Sequence, residues 1–129
     1  MENDFEDSRK LILVVDSNRN DRSMMESALL RAGYNVRVAF NGEQGTLLAI
    51  RERPDVVVLD LVAEQRSGFL VIEELRMTEG VPTRIVVVSS NPGKVAKAYA
   101  ESLGVDAYLA KPVSMTELVA TIDRVLNDE

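Results

Sequence analysis

The sequence predicts an α/β protein in which a doubly wound, five-stranded parallel sheet lies between two layers of helices. Short apolar runs such as Leu11–Val15, Val56–Leu59 and Ile85–Val88 lack the polar alternation of a half-exposed strand, so they belong inside a sheet covered on both faces. Helical patterns separate these runs, and regular strand–helix alternation with right-handed crossovers requires a parallel sheet sandwiched by helices. Two of the runs also end on an acid, Asp16 and Asp60. The carboxyl edge of an open α/β sheet is where such folds place their ligand crevice.

The elements follow in order. Residues 1–10 form an acidic tail, and residues 11–127 form the folded domain. After the first strand, Asn18 or Asn20 caps a helix whose apolar positions are Met24 or Met25, Ala28, Leu29 and Ala32, with Gly33 as its stop. Tyr34–Ala39 alternates like an edge strand, and Asn41-Gly42 turns the chain into a helix over about 43–52, closed before Pro54. Gly45 and Thr46 are weak helix formers within it. A polar loop over 63–67 follows the third strand, and a helix over about 68–78 shows Phe69, Ile72 and Leu75 on one face. The fourth strand, Ile85–Val88, exits into Ser89-Ser90. Asn91-Pro92 then reads as an N-cap followed by proline at the first helical position, with the helix running to Leu103 and Gly104. Asp106–Leu109 is a short strand delivering Lys111-Pro112. The last helix opens with a capping box, Ser114 and Glu117, stapled by Val113 on Leu118, and buries Leu118, Ile122, Val125 and Leu126.

Composition narrows the chemistry. The 129 residues suffice for one core, and 28% charged with 46% apolar residues is ordinary for a globular domain. With no Cys and no His, thiol nucleophiles, disulfides, histidine acid–base chemistry and Cys/His metal sites are excluded. A net charge of −6 argues against direct nucleic-acid binding, which needs clustered cations. The acidic start is no signal peptide and no apolar run reaches membrane-spanning length, so the expected location is the cytoplasm, without membrane contact.

Of the doubly wound strand orders, 2-1-3-4-5 suits five βα units and sets the first and third strands side by side. Asp16 and Asp60 then become neighbours, with Ser89 and Lys111 on the same rim. Taken singly, Asp60 reads as a turn cap, Ser89 as the start of a turn and Tyr108 as a core aromatic. Lys111 lacks an obvious packing purpose.

The set Val14-Val15-Asp16, Val58-Leu59-Asp60, Ser89-Ser90 and Tyr108-Leu109-Ala110-Lys111-Pro112 resembles the receiver domain of bacterial two-component response regulators, a flavodoxin-like fold, from about Leu11 to Leu126. The resemblance implies that Asp60 accepts a phosphoryl group from a histidine kinase or phosphotransfer protein, with Lys111 supplying positive charge. It implies Mg²⁺ held by Asp16, Asp60 and the backbone carbonyl of Val62. Ser89 would bind the phosphoryl oxygens and Tyr108 would change rotamer with it, switching a surface read by a downstream protein or output domain. A cis peptide before Pro112 is implied too. None of these roles is that of an enzyme.

Two departures stand out. Ser17 occupies the position of the usual second acid, and losing a carboxylate removes roughly 8 kcal/mol of gross attraction for a dication at about 4 Å and an effective dielectric near 20. Weakened Mg²⁺ binding is expected, with Asn18, Asn20 or Asp21 as the residues that could contribute through water. Ala63-Glu64 replaces the family's Met-Pro, although Gly68 is kept, and Leu47 and Leu70 suggest a contact surface. The alternative is a pseudo-receiver, a protein-interaction module that works without phosphorylation. An enzyme or nucleotide binder on this scaffold is disfavoured, because no Gly-rich phosphate loop or Walker pattern follows the first strand.

Overall fold

The computed structural model describes residues 8–61, 68–78, 82–90 and 93–127. Strands β1 (Leu11–Val15), β2 (Asn35–Ala39), β3 (Val56–Asp60), β4 (Arg84–Ser89) and β5 (Ala107–Ala110) alternate with helices α1 (Arg19–Arg31), α2 (Gly42–Glu52), α3 (Gly68–Met77), α4 (Lys94–Ser102) and α5 (Met115–Asn127). All pairings are parallel and the sheet order is β2-β1-β3-β4-β5, as the alternation predicts. No helix among the described residues is long and apolar enough to cross a membrane.

Side chains of the inner strands divide by parity between two cores. Leu13, Val15, Val57, Leu59, Ile85 and Val87 join Ala49 of α2 and Val71, Ile72 and Leu75 of α3 on one face. Ile12, Val14, Val56, Val58, Val86 and Val88 meet Met25 and Leu29 of α1 and Leu118, Ile122 and Val125 of α5 on the other. Complete burial of each such side chain stabilises by roughly 1.5–3 kcal/mol relative to exposure, which is why apolar runs without alternation survive only here.

Local chemistry sets the boundaries. Asn18 is the cap of α1, its side chain accepting from the Asp21 N–H at 2.9 Å. Gly33 follows with φ +98, a left-handed conformation that few residues other than glycine adopt. Asn41 also caps a helix: its side chain accepts from the Gln44 N–H at 2.8 Å, while Gln44 reaches back to the Phe40 N–H at 2.7 Å. The expected Asn41-Gly42 turn is therefore the first turn of α2. Gly45 is tolerated within α2 because the helix lies on β1, and a Cβ there would come within 2.8 Å of Val15. α4 starts at Lys94 with Gly93 as N-cap; Asn91 and Pro92, expected to open this helix, lie outside the described residues. Ser114 accepts from the Glu117 N–H at 3.0 Å and opens α5 as expected.

Candidate functional site at the carboxyl edge of the sheet

Asp16 continues the parity of Ile12 and Val14, Asp60 that of Val56 and Val58, and Lys111 that of Ala107 and Leu109. Strand alternation thus aims all three toward the α1/α5 side of the sheet. The Lys111 ammonium lies 3.0 Å from Asp16 Oδ2 and 3.5 Å from Asp60 Oδ2. A third carboxylate joins them, Asp21 Oδ2 at 3.0 Å.

Each partner is anchored by backbone. The Asp16 side chain is fully buried, its Oδ1 accepts from the Asn18 N–H at 2.8 Å, and its own N–H donates to the Ala39 carbonyl at 3.2 Å. Arg22 donates to the Asp16 carbonyl at 2.9 Å and lies over the Phe40 ring, 4.4 Å from its centroid. The cap that starts α1 fixes Asp21 one turn beyond Asp16. Lys111 donates its N–H to the Ser89 carbonyl at 2.8 Å, and the Lys111-Pro112 peptide is cis. Gly68 donates to the Leu61 carbonyl at 3.1 Å, tying the start of α3 to the residue after Asp60.

Burial raises the Asp16 carboxyl above its ordinary range; the Asn18 N–H and Lys111 oppose this, and the neighbouring Asp60 charge adds to it. Burial is also the largest influence on Lys111 and pulls it down, but hydrogen bonds to Asp16 and Asp21 and the charges of Asp16 and Asp60 outweigh it. The net shift is upward, so the ammonium remains charged. Both groups shift upward, which favours the neutral form of the buried Asp16 carboxyl but the charged form of Lys111, because one buried carboxylate shares a single ammonium whereas that ammonium faces three carboxylates.

Ser89 is buried at the end of β4, and Tyr108, half-buried on β5, packs against the core of the α2/α3 face. Their strand parity is that of Ile85 and Val87, opposite to the ammonium cluster. The structure brings Asp16, Asp60 and Lys111 together and sets Ser89 and Tyr108 along the adjoining face. Val62, Ala63, Glu64, Asn91 and Pro92 lie outside the described residues, as does the acidic stretch 1–7. Ser17, half-buried, follows Asp16.

Sequence reasoning placed Asp21 only as a water-mediated contributor and missed Arg22 altogether. Asp21 could have been found from its place three residues after the Asn18 cap, which turns it back over the strand end; nothing in the pattern marks Arg22. Among the described residues no three acids are grouped so as to ligate one ion directly. The oxygen chemistry of Asp16 and Asp60, with a surplus of negative charge around one ammonium, nonetheless suits a hard dication. A groove of about 440 Å³ opens beside this cluster, lined by Asp21, Met24, Lys111, Val113 and Met115 among others.

A doubly wound sheet with two acids and a lysine meeting at its carboxyl edge puts the cluster where open α/β folds place their ligand crevice. The model of the response regulator receiver domain matches residues 12–123, and the chain belongs to that family. It is 36% identical over 123 residues to a probable transcriptional regulator, ycf27, of Pyropia yezoensis, covering 95% of this chain and 49% of that protein. The chain thus spans about half the length of the curated relatives it matches. Among solved structures, Vibrio cholerae chemotaxis protein CheY4 superposes with a TM-score of 0.87 at 28% identity, covering 92% of this chain and 100% of that one. A DNA-binding response regulator of the LuxR family from Staphylococcus aureus gives 0.85 at 25%, covering 92% and 99%.

Proposed function

We propose that Asp60 is the phosphoryl acceptor and that the domain relays a signal from a histidine kinase or phosphotransfer protein to a downstream protein or output domain. The observation that carries this reading is the Lys111 ammonium, 3.5 Å from Asp60 Oδ2 and anchored through its backbone to Ser89. A carboxylate oxygen of Asp60 attacks phosphorus as the donor's phosphorus–nitrogen bond breaks; an acyl phosphate forms and the imidazole leaves with its electron pair, to be protonated by solvent. The barrier falls by positioning and by balancing charge on the transferred oxygens, not by acid–base chemistry. Lys111 supplies one positive charge, and Asp60 and Asp16 with the Val62 carbonyl would hold Mg²⁺, whose chemistry there is to neutralise the rest. Ser17 weakens that binding relative to an acid in its place.

Ser89 and Tyr108 lie on one face of neighbouring strands, which supports a switch in which Ser89 turns to the phosphoryl oxygens and Tyr108 follows. On this reading the domain is a substrate and switch rather than an enzyme. It works in the cytoplasm, and its charge of −6 leaves nucleic-acid contact to a partner or attached domain. Incubation with Mg²⁺ and acetyl phosphate, followed by intact mass, is expected to show one added phosphoryl group that is lost in Asp60→Asn. No adduct in the wild type, or an adduct surviving that substitution, overturns the reading. Ser17 favours a phosphorylation-independent interaction module as the second reading, which gains if partner binding persists unchanged in Asp60→Asn.

A further inference from the structure

We infer that Asp21 is a positioning residue of the acceptor site: it replaces, one helical turn away, the negative charge that Ser17 withdraws from the metal pocket, and it anchors Lys111. The inference rests on the phosphoacceptor reading but concerns a residue outside the resemblance. Asp16, Asp21 and Asp60 each place an Oδ2 within 3.5 Å of the same nitrogen. Three carboxylates and one ammonium leave two net negative charges. The same surplus would exist if residue 17 were an acid and residue 21 were not, so the pocket regains the charge suited to a dication while lacking the direct oxygen ligand.

Geometry separates the roles. The ammonium is 3.0 Å from Asp21 and from Asp16 but 3.5 Å from Asp60, so the first two hold it on the α1 side and Asp60 is the loosest of its three partners. The Asp21 carboxylate is 42% exposed, whereas those of Asp16 and Asp60 are 0% and 9% exposed. Asp21 therefore acts on the pocket by charge and through Lys111 from its rim, not as a ligand inside it. Only the backbone N–H of Asp21 serves the Asn18 cap, so its carboxylate is not needed to start α1.

The test is a Mg²⁺ titration followed by amide chemical shifts at Asp60 and Lys111, which needs no phosphoryl transfer. One unit charge acting on a dication about 6 Å away through a water-like dielectric is worth roughly tenfold in affinity. Asp21→Asn is expected to weaken Mg²⁺ binding by about that factor. Asp21→Glu should preserve it, and Ser17→Asp added to Asp21→Asn should restore it. Affinity in Asp21→Asn within about twofold of wild type overturns the inference, as does failure of Asp21→Glu to rescue when its fold is intact by amide dispersion. A wild-type protein that binds Mg²⁺ in this Asp21-dependent way but takes no phosphoryl group would sink the phosphoacceptor reading alone.

Discussion

Gly68→Ala tests how Asp60 is held in place. A Cβ at Gly68 would stand 2.6 Å from Leu61 Cα, 2.9 Å from Leu61 Cδ2 and 3.0 Å from the Leu61 carbonyl oxygen. Carbon atoms are content at about 3.5–4.0 Å, so the start of α3 and the backbone beside Asp60 must separate by roughly 1 Å. Overpacking of this kind costs about 1–3 kcal/mol, and alanine's better helix propensity recovers less than about 1 kcal/mol at a first helical position. The net loss is about 1–2 kcal/mol, or a fall in Tm of about 3–8 °C for a chain of this size. Because Leu61 directly follows Asp60, phosphorylation by acetyl phosphate should slow in the same variant. Gly45→Ala is the comparison: its Cβ would meet both methyls of the buried Val15, at 2.8 and 2.9 Å, which are side-chain rather than backbone atoms, and alanine's better helix propensity offsets part of that cost. Urea and thermal unfolding should rank Gly68→Ala as the more damaging of the two. Equal losses, or an unchanged Gly68→Ala, would refute the claim that backbone contact pins the end of β3 to α3.

Asp16→Asn should be more stable than wild type at pH 7, since burial raises the Asp16 carboxyl and the fold prefers its neutral form. The sign follows: this group's contribution is full below its unfolded value of 3.8 and is lost as pH rises through the higher folded value. Urea midpoints from pH 7 downward should show the advantage of Asp16→Asn shrinking as the wild-type carboxyl takes up its proton; Mg²⁺ binding should be lost throughout. Ser114→Ala removes the acceptor of the Glu117 N–H and should destabilise by about 1 kcal/mol with the site unaffected. That is readable as a lower urea midpoint with unchanged Mg²⁺ affinity.

The sequence by itself determined the sheet, its order and the meeting of Asp16, Asp60 and Lys111. Apolar runs without alternation have one home, between two helix layers, and a one-residue slip in any strand would put its acid or lysine on the wrong face. Helix caps were legible where the capping side chain precedes an apolar helical pattern, as at Ser114; before α1 the pattern left Asn18 or Asn20, and the structure decides for Asn18. Asn41 was misjudged because asparagine before glycine signals a turn as strongly as a cap, and only packing of α2 on Val15 decides between them. Tertiary structure alone decided that Asp21 joins the cluster and that Arg22 bridges the Asp16 carbonyl and Phe40. Those contacts depend on the angle at which α1 leaves the sheet, and that angle is set by Met25 and Leu29 packing against strands distant in the chain.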